Sequence, residues 1–349
     1  MEKFQKKVFT VISFDKSIGG ISKMIELSTL AMTSKVSKIN LFLLKNSNTT
    51  KKLTEKFKNN EKIRIYKFNY LEKFLLKTGF LKSKFYKKII LSDIIFIHNA
   101  NLAKPLRRIF IEKFIILFFH TDKQKQLKSL KYVNKVFTVN NFSKSLINRS
   151  YNNKATLLAN CIDVKSNKKY YERKNKKLVV GAMGRLVKKK GFDKLIRIFK
   201  QYEDISLMIA GDGPLMNYYR GLVKGHKNIN LLGWVENKNI FFSKINIFFS
   251  SSEEEPFGLV ILEAMTRGIP VISTKCNGPM DILKNNHNGI LVEKNNIAEM
   301  KQAVFKLKDN VNLRNKIVKN ALVTVKKKYS IEEYRKNLFQ EIKNFYDKY

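Results

Sequence analysis

Two glutamates eight residues apart, Glu255 and Glu263, stand within INIFFSSSEEEPFGLVILEAMTRGIPVIST, residues 245–274. A carboxylate accepts paired hydrogen bonds from vicinal hydroxyls, so two carboxylates flanking a phosphate site suit a sugar on each side of it. The pattern predicts a strand, a loop, a helix and a strand, with Pro256 in the helix's first turn and Gly258 leaving the backbone open to close approach. The N–H groups of Phe257, Gly258 and Leu259 then fall at the positive end of the helix dipole, where a phosphate is stabilised. Glu253 and Glu254 are accounted for by an acidic helix entry alone. Glu263 is not, because it follows Val260, Ile261 and Leu262.

A second candidate is GAMGRLVKKKGFDKLI, residues 181–196. Gly181 and Gly184 allow a tight strand exit. Arg185, as a fork, and Lys190, as a point charge, are suited to converge on a diphosphate. The spacing is neither a Walker loop nor a GxGxxG fingerprint, and ordinary surface charge also accounts for an Arg and a Lys in so basic a chain. AGDGP (210–214) fits either a ligand-facing turn or a plain turn with Asp212 as a helix cap. In SIGGIS (17–22), Gly19 and Gly20 open a helix after the first strand, where a diphosphate also fits. His98 and His120 close two apolar strands, and only four histidines are present. Packing explains either one alone, but His120-Thr121-Asp122 is an abrupt polar cluster after six apolar residues. No HExxH, no DxD suited to a metal–diphosphate and no GxSxG occurs, so no metal is expected.

These residues need elements to hold them. Apolar runs such as KVFTVIS (7–13), KINLFLL (38–44), FIILFFH (114–120), KLVVGAMG (177–184) and SLMIAGDG (206–213) alternate with helical spacing. That pattern is expected of parallel sheets buried by helices on both faces. The 349 residues suit two domains. We expect doubly wound units at 1–165 and 177–328, a linker at 166–176 that lacks Val, Ile, Leu and Phe, a cleft between the units, and a helix at 329–349 crossing back to the first.

The chain carries 69 Lys+Arg against 28 Asp+Glu, a net charge of +41, with 36 against 10 in residues 1–170. Such a field attracts polyanions: nucleic acid, anionic lipid or phosphorylated substrate. Codon-biased lysine on solvated faces explains it equally well. Cys161 and Cys276 form no metal or disulfide pattern, which fits a reducing cytosol. Asp15 and Lys16 interrupt the first apolar stretch, so a buried strand is expected there rather than a signal peptide, and no apolar run is long enough to span a bilayer. Residues 71–90 mix Phe, Leu and Ile with six lysines, as in a segment lying on an anionic membrane, or a core-facing helix with a solvated basic face.

Taken together, Glu255-x7-Glu263 in EPFGLVILEAMTRGIPVIST, GRLVKKKGFDKLI, AGDGP and NINLLGW resemble the family 4 glycosyltransferases (glycosyl transferases group 1) of GT-B fold. SIGG, SDIIFIHN, FFHTD and LLANCID match more weakly, so the resemblance covers most of residues 8–275 in the family's order. It implies two Rossmann-like domains facing across a cleft, the first binding the acceptor and the second the donor. It also implies retaining transfer from a UDP- or GDP-linked sugar to a glycan or lipid-linked hydroxyl, without a metal or other cofactor. Glu255 would hold the donor sugar near its anomeric centre and Glu263 the ribose. Arg185 and Lys190 would neutralise the diphosphate, with Gly184 in the same loop. Phe257, Gly258 and Leu259 would add N–H contacts, Gly19 and Gly20 would approach from the first domain, and His120 would lie beside the reacting sugar. Two positions depart from the pattern: Cys161 replaces a small residue after Asn160, and Thr121 separates His120 from Asp122.

The expected setting is cell-surface polysaccharide or lipopolysaccharide assembly in the cytoplasm, peripheral on the cytoplasmic face of the membrane. A basic nucleic-acid-binding protein is the contrasting reading, without a recognisable binding module to support it. Another GT-B-like nucleotide-sugar enzyme, a synthase or epimerase, is the other.

Overall fold

The computed structural model describes residues 4–152, 154–164 and 177–347. The expected linker at 166–176 lies outside them. The chain divides into two compact units, Met1–Cys161 with Ile331–Tyr349, and Ile162–Ser330.

The first unit holds β1 (Val8–Ser13), β2 (Lys38–Leu44), β3 (Ile63–Phe68), β4 (Ile94–Ile97), β5 (Phe114–Phe119), β6 (Lys135–Thr138) and β7 (Ala155–Leu157). They form one parallel sheet in the order β3-β2-β1-β4-β5-β6-β7. β4 (IIFI) is buried along its whole length and β5 (FIILFF) along nearly all of it, because helices cover both faces. The helix Ile331–Tyr346 packs beside the helix Gly20–Thr33. It buries Tyr334, Leu338 and Ile342, and sets the Phe339 ring 5.6 Å from Phe4 and 6.4 Å from Phe9.

The second unit holds β8 (Leu178–Met183), β9 (Ile205–Ala210), β10 (Ile229–Leu231), β11 (Ile247–Ser250), β12 (Val271–Thr274) and β13 (Ile290–Val292). This sheet is also parallel, in the order β10-β9-β8-β11-β12-β13. In both sheets the strand order reverses once, between β1 and β4 and between β8 and β11. Chains leaving such neighbouring strands turn to opposite faces, which opens a crevice at their carboxyl ends. The loops carrying Gly19, His98, Arg185, Lys190 and Glu255 leave from these reversal points, while His120 leaves β5, the strand beside β4. The fold is GT-B.

Several local expectations are corrected. Gly181 lies inside β8 rather than at its exit, and a Cβ there would come within 2.5 Å of the Ile245 side chain. Residues 71–90 form two helices, Tyr70–Thr78 and Ser83–Ile90, because Gly79 ends the first in the left-handed conformation with φ 98°.

Candidate functional site

The second unit's site is built from the two loops at the β8/β11 junction. The loop after β8 carries Gly184, Arg185 and Lys190, and the loop after β11 carries Glu253 to Gly258. The backbone laces them together: Glu253 N–H donates to the Lys189 carbonyl (2.8 Å) and Ser251 Oγ to the Lys190 carbonyl (2.9 Å). On this frame the Lys190 ammonium donates to the Glu255 carboxylate, and both side chains are mostly buried. Lys194 Nζ donates to Glu253 at 2.7 Å and lowers that carboxyl's pKa. Glu253 therefore clamps the two loops together rather than merely moderating charge. Arg185 stays exposed at the loop's surface.

Gly258, with φ 101°, caps the helix Leu259–Met265. A side chain is strained in that conformation, so glycine is what lets the chain turn sharply from the loop into the helix. Pro256 falls two residues before this cap and is not in the first turn, contrary to its sequence-based placement. Phe257 and Gly258 are buried, and among the described residues no protein acceptor takes the N–H of Phe257, Gly258 or Leu259. Glu263 sits one turn into the helix. Both its oxygens accept from Lys238 Nζ, at 2.7 and 2.8 Å. Sequence reasoning missed Lys238, since one lysine among 69 basic residues carries no signal by itself.

Gly211 explains AGDGP. Its N–H donates to the Gly233 carbonyl at 2.7 Å, its φ is 140°, and a Cβ would fall 1.8 Å from the Gly184 carbonyl oxygen. The loops after β8, β9 and β10 thus meet backbone to backbone, which only glycine permits. Asp212 is not a helix cap; its carboxylate accepts from the next N–H, of Gly213, at 2.7 Å, while the helix Met216–Val223 begins after Leu215. Cys276 is buried, donates from Sγ to the Ser252 carbonyl at 3.0 Å, and has its thiol pKa raised by burial, so it is a packing group.

In the first unit, Gly19 and Gly20 open the helix Gly20–Thr33 beyond β1, and Gly19 has open space where a Cβ would stand. Across the β1/β4 junction, Asn99 Oδ1 accepts from the Phe14 N–H at 2.7 Å. His98 and His120 follow β4 and β5 directly, and His98 Nδ1 lies 2.8 Å from His120 Nε2. Burial lowers the pKa of both: His98 well below the ordinary value, helped by its neighbour, and His120 to about 4. Asp122 accepts from Asn140 Nδ2 (2.9 Å) and Ser143 Oγ (2.6 Å), bracing the start of the helix Asn141–Ser150. The polar cluster after β5 thus divides into His120, facing the crevice end, and Asp122, holding the helix.

The arrangement in the second unit, two lysine-held carboxylates on either side of unclaimed N–H groups, coincides with a family match. Residues 163–323 match the family described as glycosyl transferases group 1. The match spans nearly all of the second unit. Over 159 residues the chain is 30% identical to the lipopolysaccharide core biosynthesis glycosyltransferase LpsE of Rhizobium meliloti, covering 44% of this chain and 46% of that one. Over 192 residues it is 29% identical to the capsular polysaccharide biosynthesis glycosyltransferase CapM of Staphylococcus aureus, covering 52% and 49%. The chain thus spans about half the length of these curated relatives. Among solved structures, Anabaena HepE in complex with UDP and glucose superposes with a TM-score of 0.81 at 16% identity, covering 96% of this chain and 99% of that one. The lipopolysaccharide outer core galactosyltransferase WaaB superposes at 0.74 and 17% identity, covering 97% and 99%.

Proposed function

We propose that this chain is a glycosyltransferase that moves a sugar from a nucleoside diphosphate to a hydroxyl of a glycan or lipid-linked acceptor in cell-surface polysaccharide or lipopolysaccharide assembly. The observation that carries this reading is the placing of Lys190–Glu255 and Lys238–Glu263 on either side of the free N–H groups of Phe257, Gly258 and Leu259. The diphosphate takes those N–H groups together with Arg185 and Lys190. An ammonium has three donors, so Lys190 can keep Glu255 while also donating to a phosphate oxygen. Glu255 then meets the transferred sugar and Glu263 the ribose. The HepE structures with UDP and with UDP-glucose make UDP-glucose the first donor to try.

Transfer with retention fits a Glu255 that is ion-paired, because a carboxylate held by an ammonium is a poor nucleophile for a covalent sugar intermediate. The bond from the anomeric carbon to the diphosphate oxygen breaks as the acceptor oxygen attacks the same face, and the acceptor proton passes to the departing phosphate. Arg185 and Lys190 stabilise the charge that develops there.

The same reading puts the protein on the cytoplasmic face of a membrane. Tyr70, Leu71, Phe74 and Phe80 are each at least 60% exposed, among exposed Lys77, Lys84, Lys87 and Lys88. Apolar side chains ringed by lysine suit an anionic lipid surface. Among the described residues no helix is long and apolar enough to cross a membrane. The test is a donor screen across UDP- and GDP-sugars, reading thermal shift and sugar release. Saturable binding of one donor is expected. Salt-dependent duplex DNA binding with no donor response would overturn the reading.

A further inference from the structure

His98 and His120 are 22 positions apart, and the register Ile97 to Leu117 between β4 and β5 sets His98 beside Phe118, with His120 two residues further along on the same face. Their ring planes differ by 7° and their centroids are 5.1 Å apart. That separation is the 2.8 Å nitrogen–nitrogen distance plus the two ring radii. The rings therefore meet edge to edge in nearly one plane, since rings stacked face to face could not bring two nitrogens so close. Phe118 fixes the plane, with its centroid 4.7 Å from His98, and Phe96 packs behind it at 5.7 Å. The backbone N–H of His98 donates to the Ile12 carbonyl at 3.2 Å.

An in-plane N–H···N bond between neutral imidazoles holds one proton, and two arrangements are open. If His120 donates from Nε2, His98 must carry its own proton on Nε2. If His98 donates from Nδ1, its Nε2 is a bare lone pair. The surroundings decide, because His98 is 5% exposed and its Nε2 is sealed with no partner. An orphaned buried N–H is rarer in proteins than an under-satisfied acceptor. Hence His98 Nδ1–H donates, His120 Nε2 accepts, and the His120 proton resides on Nδ1. Among the described residues that nitrogen has no protein partner, and it is absent from the sealed atoms, so it is open at the surface.

We propose that His98 is a positioning residue that locks His120 as the Nδ1–H tautomer, making His120 a hydrogen-bond donor to an oxygen of the bound sugar and removing its Nε2 as a base. The role at the sugar rests on the proposed transfer; the tautomer does not. Burial, by keeping both rings neutral at physiological pH, is consistent with it.

Nitrogen-15 histidine NMR on the whole protein tests this, with only four histidines to assign. The wild type is expected to show His120 protonated at Nδ1, and a coupling through the hydrogen bond between His98 Nδ1 and His120 Nε2. A proton on His120 Nε2 overturns the proposal whatever the activity. His98→Met and His98→Gln have similar volumes, but only glutamine retains an N–H donor. We expect the methionine variant to release His120 into mixed tautomers and to lose at least about tenfold in kcat/KM, as wrong-tautomer variants do. The glutamine variant should restore the tautomer and most of the loss. Equal activity in the two, or an unchanged His120 tautomer in the methionine variant, refutes the positioning role. If the methionine variant fails to fold, the wild-type spectrum still decides the tautomer. Failure of the transferase reading would instead appear as no transfer by the wild type from any donor, leaving the spectrum unaffected.

Discussion

Lys190 and Glu255 pair across the junction where the second sheet's strand order reverses, although 65 positions separate them. A mostly buried ion pair is weak evidence of stability, because desolvation offsets its attraction. Its value here is positional: a carboxylate and a cation are fixed at the crevice before any ligand arrives.

Glu255→Gln and Arg185→Ala should each lower kcat by about a hundredfold to a thousandfold, the typical loss when one transition-state charge contact is removed. The fold should survive both, since glutamine keeps the shape of Glu255 and Arg185 is exposed. Single-turnover transfer assays and far-UV circular dichroism check this, and full activity in either variant removes the assignment.

Glu263→Gln should act on donor binding more than on turnover. Losing a charged acceptor for ribose hydroxyls costs roughly tenfold to a hundredfold in affinity. Lys238 is 43% exposed, so stranding it costs the fold little. Calorimetric titration of the donor separates the two effects: an unchanged dissociation constant would mean Glu263 serves only Lys238.

Gly211→Ala should destabilise the second unit by about 3 kcal/mol or more, because a Cβ 1.8 Å from the Gly184 carbonyl oxygen cannot be accommodated without moving backbone. Gly19→Ala, with open space at its Cβ, is the contrasting variant. Urea denaturation midpoints of the two compare them directly.

Stability should depend on the histidine pair in a defined pH window. The unfolded chain protonates His98 and His120 near the ordinary value of 6.5, while the folded protein holds His120 neutral to about 4 and His98 lower than its ordinary value too. Below 6.5 the unfolded state binds more protons, so stability falls as pH drops from 6.5 toward about 4, and above about pH 7 the pair adds no slope. Thermal midpoints in matched buffers measure it, and His120→Gln should flatten the curve.

Leu71→Ser with Phe74→Ser should cut binding to vesicles containing anionic lipid, while leaving donor binding unchanged. Lys77→Glu with Lys87→Glu should do the same and also weaken the salt dependence. Co-sedimentation with neutral and anionic vesicles reads both, and equal pelleting of all variants would rule this surface out.

Much of this fold is legible in the sequence because parallel strands buried on both faces are continuous apolar runs, and FIILFF or SLMIA admits few other readings. The three-residue strands ATL and ILV are too short to register, and they became β7 and β13 only through their neighbours. At the site, the types and spacing of Glu255 and Glu263 are informative. That Lys190 and Lys238 pair with them is not legible, because pairing depends on which loops the strand order brings together. His98 and His120 left one usable sign, that each directly follows an apolar run. Their hydrogen bond follows from strand register, which a single chain of letters does not encode.

The helix Ile331–Tyr346 has a consequence for synthesis. It completes the first unit but is translated after the entire second unit, Ile162–Ser330. On the ribosome, the second sheet has all its strands before the first unit has its last helix. Until then Phe4 and Phe9 lack the Phe339 ring that packs on them. The half of the molecule made first is therefore the half finished last, and a nascent chain stalled before residue 331 would display a folded second unit attached to an open, aromatic-rich and strongly basic first one.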